Sequence, residues 1–466
     1  MNFLHGLPTA WVSISLNDLC IDIKQRAPLP DEQFTYIDIA SIDRDLKQIT
    51  EPQMLIGQDA PSRARKVIMA NDVLVSMTRP NLNAVALVQN KLLNPIASTG
   101  FDVLRANLIE PKWLYFHVRS QKFIDTLLDK VQGALYPAVK SSDIRSYEIP
   151  LPPLAEQQEI ATRLDDLLAQ VDVIKARLDA IPAILKRFRQ AVLAAAVSGK
   201  LTEDMRKENS CIDSDFGTAI PVVWKKLTIS DVAEVKGGKR LPKGDELVTI
   251  NTGFPYIRAG QLKGGTVLSD EQLYLKPETQ KQIAQYIVNT DDVYITIVGA
   301  CIGDAGIIPA KYNGANLTEN AAKLCPFKDC IISKYLAIWL KSPFLQEIVK
   351  FEIKSGAQGK LALHRIKSLP LPYPEKDEQT EIVNRVEQLF AFADQIEQQV
   401  QAAQTRVNQL TQAILAKAFK GELTAAWRAA HPELISGENS AEALLEKIKT
   451  TQASIKPKRG SLKLAI

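Results

Sequence analysis

The sequence lacks several features that would place it in a specialised class of protein. Its 466 residues include only five cysteines, and none of them forms a Cys-x-x-Cys pair, so neither a disulfide framework nor a zinc site is indicated. The longest run of small apolar residues, 191–197, is far below the roughly 20 residues that cross a bilayer. The first twenty residues have no basic start followed by an apolar stretch. We therefore expect a cytoplasmic protein that does not enter a membrane.

Motifs for the common catalytic chemistries are also missing from the sequence. No GxxxxGK[ST] phosphate loop occurs, because the glycines of 356–360 have the wrong spacing and a leucine follows them. No Asn-Pro-Pro-Tyr or Asp-Pro-Pro-Tyr motif of base methylation is present. The four histidines are scattered, which argues against a histidine-based metal site or catalytic triad. These absences favour a binding or scaffold protein over an enzyme.

The net charge is small as well. The chain has 57 Lys and Arg residues against 53 Asp and Glu residues, which gives +4. By segment the charge is 0 for 1–155, −2 for 156–216, +6 for 217–373 and 0 for 374–466. Only the third segment is basic, so net charge alone does not indicate a nucleic-acid-binding protein.

What the sequence does contain is an internal repeat. EQQEIATRLDDLL from Glu156 matches EQTEIVNRVEQLF from Glu378 at an offset of 222, and the same offset relates the two GxLT motifs at Gly199 and Gly421. Upstream, IPLP at 149–152 matches LPLP at 369–372, and a P-x-x-W motif starts at Pro8 and at Pro221. Each half thus has a P-x-x-W start, about 140 residues of mixed pattern, a proline-rich hinge, a long helix and GxLT.

Both helical repeats carry apolar residues spaced alternately by four and three, which is the a/d seam of a coiled coil. Two such seams in one chain are predicted to pack on each other as an antiparallel pair related by a pseudo-two-fold axis. The alternative is that each apolar stripe packs onto its own domain. Pro182 predicts a kink or a restart in the first helix. The seams comprise Ile160, Leu164, Leu167, Val171, Ile174, Leu178, Ile181, Leu185, Phe188 and Val192 in the first helix, and Ile382, Val386, Leu389, Ala393, Ile396, Val400, Ala403, Val407, Leu410 and Ile414 in the second.

Between these landmarks the two halves share little identity. Each has short strand-like runs, such as 71–77 and 291–298, and each ends in one helical pattern, 112–130 and 333–351. The predicted fold class is α+β: two repeated α+β domains with mostly antiparallel or barrel-like sheets, separated by the two long helices. The predicted segments are a first domain at 1–155, a central helical spacer at 156–210, a second domain at 211–373, a distal helical spacer at 374–430 and a tail with a short helix at 431–466.

Polar and basic loops at strand ends supply the candidates for contact with nucleic acid. Arg, Lys, Asn and Gln are the residue types that reach phosphates and base edges. Each loop by itself is better explained as ordinary solvated surface charge, whereas the set as a whole favours binding. The candidates are Arg65, Arg79, Asn81 and Asn83 in the first domain, and Lys239, Arg240, Lys243, Arg258 and Gln261 in the second.

The repeated motifs resemble the conserved regions of the specificity subunit of type I restriction-modification systems. The resemblance rests on the P-x-x-W start, the LPLP hinge and the runs 151–160, 185–192, 199–202 and 412–424, and it spans essentially the whole chain. It implies two target recognition domains, each of which reads one half of a split DNA sequence. It also implies that the two conserved helices act as a ruler and dock two methylation subunits, and that restriction subunits then join the complex.

The resemblance implies further that this chain holds no catalytic residue and no cofactor. S-adenosylmethionine, ATP and Mg²⁺ are expected in the partner subunits, and the implied partners are double-stranded DNA, the methylation subunits and the restriction subunits, with no membrane. Recognition domains vary between members of the family, so the resemblance identifies no DNA-contacting residue. Two alternatives stay open: a coiled-coil scaffold without a nucleic-acid role, and the specificity half of a self-sufficient methylase or nuclease.

Overall fold

The structure, a computed structural model, describes residues 6–89, 91–131, 137–213, 217–354 and 359–455. The chain divides into two compact units, one of Met1–Leu178 with Ala403–Ile466 and the other of Asp179–Ala402. Each unit contains one domain of mixed helices and strands together with parts of both long helices. Residues 456–466 of the predicted tail lie outside the described residues.

The described helices and strands follow in chain order. The helices are α1 (Leu16–Leu19), α2 (Pro111–Val118), α3 (Gln121–Leu128), α4 (Ser141–Arg145), α5 (Leu154–Val197), α6 (Ile229–Val232), α7 (Pro277–Gln282), α8 (Ser333–Lys341), α9 (Pro343–Lys354), α10 (Leu363–Lys367), α11 (Lys376–Phe419), α12 (Ala425–Ala430) and α13 (Ala441–Ile455). The strands of the first unit are β1 (Val12–Ser15), β2 (Cys20–Ile21), β3 (Gln33–Ile37), β4 (Ile42–Asp43), β5 (Gln48–Ile49), β6 (Gln53–Ile56), β7 (Ala64–Val67), β8 (Val73–Ser76), β9 (Val85–Leu87), β10 (Ile96–Ser98), β11 (Phe101–Ala106) and β12 (Glu148–Leu151). Those of the second are β13 (Cys211–Ile212), β14 (Ile220–Pro221), β15 (Lys225–Thr228), β16 (Ala233–Gly237), β17 (Pro255–Ile257), β18 (Leu262–Lys263), β19 (Thr266–Val267), β20 (Leu273–Tyr274), β21 (Val293–Thr296), β22 (Ala305–Ile307), β23 (Asn316–Leu317), β24 (Ala321–Phe327) and β25 (Pro370–Tyr373).

The first domain contains two four-stranded sheets, in the orders β6-β3-β10-β7 and β2-β11-β8-β9. The pairing is antiparallel except between β3 and β10, which run parallel. Strand β8 is buried along its whole length, and its Val-Leu-Val run suits a strand covered on both faces. Strand β1 pairs with the proline-rich hinge strand β12, which ties the P-x-x-W start to the segment that enters α5.

The second domain repeats this topology, except that one of its sheets has three strands and that β16 pairs with β24 in a register different from that of β2 with β11. Its sheets have the orders β16-β24-β21-β22 and β20-β17-β23, and β17 runs parallel to β23 as β3 does to β10. Tyr36 pairs with Ile96, and Tyr256 pairs with Asn316, so both members of the pair shift by 220 positions. The same shift relates the β8–β11 register to the β21–β24 register. The predicted α+β repeat is therefore confirmed, and the backbone repeat continues through the stretch where the sequences share little identity.

Each helical pattern that ends a domain consists of two helices, which corrects the prediction of one. In the first domain Ser120 begins α3, because its hydroxyl accepts a hydrogen bond from the backbone N–H of Phe123 (3.3 Å). In the second domain Ser342 accepts from the N–H of Leu345 (3.3 Å), and Pro343 follows at the first helical position. A serine cap begins a second helix without shifting the spacing of the apolar residues along the chain. The sequence pattern therefore resembles that of one helix.

The two long helices pack antiparallel, as predicted. In the first unit Arg163, near the start of α5, donates to the carbonyl of Leu423, which follows the end of α11 (2.8 Å). In the second unit Arg385, near the start of α11, donates to the carbonyl of Leu201, which follows the end of α5 (2.7 Å). In each unit the beginning of one helix therefore lies beside the end of the other.

The predicted seam is buried or half-buried at every position except two. Ile174 is 44% exposed and Leu410 is 45% exposed. Leu168 and Leu415, which are not among the predicted seam residues, are also buried. The reason is that the period of an ordinary helix drifts away from a strict 3.5-residue repeat. Helix α5 runs without a break through the exposed Pro182, so the predicted restart is wrong, since a proline removes a single backbone donor.

The ends of the long helices also belong to the domain cores. Ile160 and Leu164 at the start of α5 are fully buried in the core of the first unit, beside Trp113. Val197 at the end of α5 and Ile382 near the start of α11 are fully buried in the core of the second. Packing of the stripe on the domains, the alternative considered from the sequence, thus accounts for the helix ends.

A buried polar cluster explains the motifs that repeat. In the first unit the fully buried Glu156 accepts hydrogen bonds from the indole N–H of Trp11 (2.8 Å), from the hydroxyl of Thr424 (2.7 Å) and from the guanidinium of Arg428. In addition, Gly421 has a φ of +72°, and a Cβ there would lie 2.5 Å from the ring of Pro8. We call this cluster of Trp11, Glu156, Thr424 and Arg428 the first clasp.

The second unit has the same cluster, the second clasp. Glu378 accepts from the indole N–H of Trp224 (2.9 Å), from the hydroxyl of Thr202 (2.7 Å) and from the guanidinium of Arg206. Gly199 again has a positive φ of +76° and lies against Pro221. The P-x-x-W, EQ and GxLT landmarks therefore repeat because they build one structure twice.

Candidate nucleic-acid interface

In the first domain the turn between β10 and β11 is the place where the predicted loops meet. The N–H of Thr99 in this turn donates to the carbonyl of Arg63 (2.9 Å), and Ala64 at the start of β7 pairs with Ser98. Arg65, the next residue on β7, is half-buried. The candidate Arg65 therefore extends from the sheet close to this turn.

The loop after β8 approaches the same turn from the other sheet. Met77 at the end of β8 donates its N–H to the carbonyl of Gly100 (2.9 Å). Arg79 follows in the left-handed conformation, with a φ of +48°, and its own N–H donates to the carbonyl of Pro137 (2.8 Å). The side chains of Arg79 and Asn81 are exposed. Arg65, Arg79 and Asn81 are thus brought to one end of the domain.

Asn83 does not belong to this exposed group. It is only 9% exposed, and its side-chain amide donates to the carbonyl of Arg119 (3.0 Å). Its own carbonyl accepts from the ammonium of Lys47 (2.6 Å), and burial of that ammonium lowers the pKa of Lys47 to about 8. The prediction that Asn83 projects from the loop is wrong, because its polar atoms hold the loop against the end of α2.

In the second domain the equivalent turn lies between β23 and β24. Lys239 donates its N–H to the carbonyl of Leu317 (2.9 Å), and Arg240 forms an ion pair with Glu319 in the turn (3.3 Å). The side chains of Lys239, Arg240 and Lys243 are exposed. These three candidates therefore form a basic loop beside the turn, as Arg65 and Arg79 do in the first domain.

The candidates Arg258 and Gln261 share a short turn that follows β17. Arg258 is half-buried, and its guanidinium donates to the carbonyl of Glu271 (2.5 Å). Gln261 is only 3% exposed: its side chain accepts from the N–H of Arg258 (3.0 Å) and donates to the carbonyl of Leu268 (3.1 Å). The prediction of Gln261 as an exposed contact is wrong, because its amide closes the turn that presents Arg258.

The shared registers assign a counterpart to each of these positions. The counterpart of Arg258 is Asp38, whose N–H bonds to the hydroxyl of Ser41 (3.2 Å) in the same way as Arg258 bonds to Gln261. The counterpart of Arg79 is Gly299, which also has a positive φ. The basic side chains of the two domains therefore lie at different places on one backbone, which is why the loops could not be matched from the sequences.

Sequence reasoning missed two residues of the second domain, Gln285 and Tyr286. Val67 of β7 pairs with Ile96, and Ile287 pairs with Asn316, so Gln285 takes the place of Arg65. Both residues line a cleft of about 420 Å³ whose other lining residues are Lys236, Gly237, Gly238, Leu317 and Lys323. The offset of 220 between the two proline-rich hinges was the signal in the sequence for this correspondence, and the strand registers were needed to show that it holds at residues 65 and 285.

The described residues provide no grouping that resembles a metal centre. Among them, no three His, Cys, Asp or Glu side chains lie where they could together hold a metal ion. His117 is 3% exposed and stacks on Phe419 with ring centroids 3.8 Å apart, and burial holds its pKa well below the usual range. No helix in the described parts of the chain is long and apolar enough to cross a membrane.

The chain thus contains two copies of one α+β domain, each with polar loops at one end and each packed on parts of the two antiparallel helices. Comparison with known proteins specifies the class. Residues 8–183 and 221–404 each match the family described as the Type I restriction modification DNA specificity domain. The chain therefore belongs to this family.

Named relatives and solved structures agree with the family match. The chain is 45% identical over 331 residues to the specificity subunit of type I restriction enzyme EcoBI of Escherichia coli, covering 70% of this chain and 69% of the relative. It is 36% identical over 414 residues to that of EcoKI of Escherichia coli (strain K12), covering 85% and 84%. A chain from a structural study of assembly and conformational transition of the type I R-M system superimposes with a TM-score of 0.70 at 25% identity, covering 89% of this chain and 99% of that one. The HsdS subunit of Thermoanaerobacter tengcongensis gives 0.59 at 27% identity, covering 89% and 98%. The protein is thus a non-catalytic DNA specificity subunit of a type I restriction-modification complex.

Proposed function

We propose that this chain reads a bipartite double-stranded DNA target in the cytoplasm, with one half-site for each domain. The observation that supports it is the repeat of one backbone with different side chains at equivalent positions, such as Arg258 and Asp38. Two domains of one fold place equivalent loops on DNA, while different side chains in those loops select different bases.

In the proposed complex the long helices dock two methylation subunits, and restriction subunits join through that assembly. S-adenosylmethionine, ATP and Mg²⁺ then serve the partner subunits, and this chain binds none of them. Support comes from the missing phosphate-loop and base-methylation motifs, and from the names of the relatives, which are specificity subunits of restriction enzymes.

We propose further that α5 and α11 set the number of base pairs between the half-sites. Helix α5 has 44 residues, begins in the core of the first unit and ends in the core of the second. Helix α11 also has 44 residues. Because each residue of a helix adds about 1.5 Å, a change in the length of both helices changes the spacing of the attached domains.

The test is an insertion of one heptad into each helix, after Leu178 and after Ala402, where both helices pass from one unit to the other. Seven residues preserve the a/d seam and add about 10 Å, close to three base pairs at roughly 3.4 Å each. The complex with methylation subunits is expected to methylate a target whose spacer is longer by about three base pairs, measured by methylome sequencing.

The control is the same heptad inserted after Lys207, in the exposed segment that begins after Arg206 of the second clasp. This variant should keep the original target. A folded double-insertion variant that still methylates the original spacing would contradict the ruler.

A further inference from the structure

Gln285 occupies the position in the second domain that Arg65 occupies in the first. Arg65 lies two residues before Val67, which pairs with Ile96 of β10. Gln285 lies two residues before Ile287, which makes the same antiparallel pairing with Asn316 of β23. Gln285 lies in a short 3-10 helix, Ala284–Tyr286, whereas Arg65 lies on β7. The two residues therefore correspond in their position relative to β10 and β23, which share their parallel pairing with β3 and β17.

The side chain of Gln285 is not used by the fold. It is exposed, and among the described residues it has no hydrogen-bond partner. Other glutamines of this unit hold loops in place: Gln261 closes the turn after β17, and Gln379 donates to the carbonyl of Pro374 (3.0 Å) and accepts from the N–H of Ile332 (2.9 Å). Gln285 therefore keeps a donor and an acceptor available for a ligand.

The cleft beside Gln285 combines an aromatic ring with positive charge. Tyr286 is half-buried, and the ammonium of Lys239 lies 5.6 Å from the centroid of its ring. Lys236 is exposed at the rim and forms an ion pair with Glu234 (2.7 Å). At the wall, the buried Lys323 donates to the carbonyl of Ile287. A volume of about 420 Å³ admits the edge of a nucleobase beside these groups.

The chemistry of these side chains matches a strand of DNA. Lysines contact phosphates, an aromatic ring packs against a base or a sugar, and a glutamine amide makes two hydrogen bonds with the N6 and N7 of adenine. Gly237 and Gly238 also line the cleft. A Cβ on Gly238 would lie 2.0 Å from the carbonyl oxygen of Thr318, so the close approach of these two backbone segments beside the cleft requires glycine at this position.

We propose that Gln285 reads an A·T base pair in the second half-site, with Tyr286 packed beside the base and Lys236 and Lys239 at the flanking phosphates. The proposal rests on the proposed function and names residues that determine its specificity. It also makes Arg65 and Gln285 equivalent reading positions of the two half-sites.

The test uses the complex of the full chain with methylation subunits and a randomised library of bipartite DNA. Gln285→Ala is expected to reduce the preference for A·T at one position of the second half-site by roughly 5- to 140-fold, and to leave the first half-site unchanged. Gln285→Arg places the residue of the first domain at this point and is expected to shift the preference at that position to G·C. Arg65→Ala should relax one position of the first half-site.

The matched control is Gln282→Ala, which removes an exposed glutamine at the end of α7, outside the residues that line the cleft. It should leave both half-sites unchanged. If Gln285→Ala and Gln285→Arg retain the wild-type preference, or if they relax both half-sites alike, the proposal is overturned. A wild-type complex that selects no bipartite sequence would instead overturn the proposed function, so the two failures are distinguishable.

Discussion

The turn after β3 holds Asp38 and Ser41, and the same turn after β17 holds Arg258 and Gln261. In both turns the side chain of the fourth residue accepts the N–H of the first, so the backbone is held in the same way. The charge of the first residue of the turn is nevertheless opposite. The two domains thus preserve the hydrogen bond that closes the turn, which a serine accepts in one and a glutamine in the other, and they differ in the charged residue at its start. This difference is consistent with a charge of 0 in 1–155 and +6 in 217–373.

Comparison of the two clasps gives the opposite result. Their four side chains are identical, whereas the positions of these side chains along the chain differ. In the second clasp Thr202, Arg206 and Trp224 come from one continuous segment. In the first clasp Trp11 lies near the start of the chain and Arg428 near its end. In both units the glutamate comes from a distant segment, whereas its three partners share one segment in the second unit and come from two distant segments in the first.

Removal of a clasp carboxylate is expected to have the largest effect. Glu156→Ala should lower the free energy of unfolding of the first unit by about 3–5 kcal/mol, because it leaves Arg428 without its buried partner. Glu378→Ala should do the same to the second unit through Arg206. Hydrogen exchange resolved by segment, combined with urea unfolding, measures each unit separately.

The matched control is Glu159→Ala, which removes the half-buried partner of Arg163 one turn away (2.5 Å). It should cost no more than about 1 kcal/mol, since exposed pairs spaced by four residues on a helix stabilise weakly. The predicted role of the clasp is contradicted if Glu156→Ala and Glu159→Ala lower the free energy of unfolding of the first unit equally. It is also contradicted if Glu156→Ala destabilises both units alike.

An intermediate effect is expected from the candidate arginines of the two domains. Arg79→Ala should weaken recognition of one half-site and Arg258→Ala that of the other, each by about 1–3 kcal/mol if the side chain reads a base. Lys239→Ala should weaken all sequences alike and lower the salt slope by about 1, as expected for a phosphate contact. Binding measured over a range of salt, on targets altered in one half-site at a time, separates these outcomes.

Exposed cations outside these loops supply the controls, Lys91→Ala in the first domain and Lys276→Ala in the second. Neither should change affinity or preference. Wild-type binding by both arginine variants would exclude these loops from the interface, whereas an equal loss at both half-sites would argue against one domain for each half-site.

The smallest effect concerns Lys47, which has no counterpart in the shorter β18–β19 hairpin of the second domain. Burial lowers its pKa to about 8 from 10.5, so between these values the unfolded chain binds more protons than the folded chain. The stability of the first unit should therefore rise with pH from about 8, with a slope of at most about 1.4 kcal/mol per pH unit.

Lys47→Met retains the apolar stem and should remove this rise. The measurement is the difference in unfolding free energy between wild type and variant at pH 7, 8 and 9. Subtraction isolates Lys47 from other groups, such as Cys20, whose thiol has its pKa raised to about 12 by burial. A difference that does not change with pH would show that the ammonium is solvated.

Much of the fold was predictable from the sequence, whereas less of the interface was. The repeat, the long helices and their seam follow from periodicity and self-similarity, which need no knowledge of tertiary contacts. Two features of the fold were not predicted: α5 continues through Pro182, and the helical pattern at the end of each domain is divided into two helices. Each of these features depends on a single residue. For the interface, residue type identified exposed Arg79 and Lys239, but it also selected Asn83 and Gln261, whose amides hold loops together.

The sequence by itself determined the order of the parts, the α+β class and the pairing of two similar halves, because these are properties of spacing along one chain. Only the tertiary structure decided which polar side chains are exposed and which residues correspond between the domains. Glu156 meets Trp11 across 145 positions and Thr424 across 268, and the equivalence of Gln285 with Arg65 is defined by strand registers. Such relations depend on hydrogen bonds between distant segments, and residue type along the chain does not specify which segments meet.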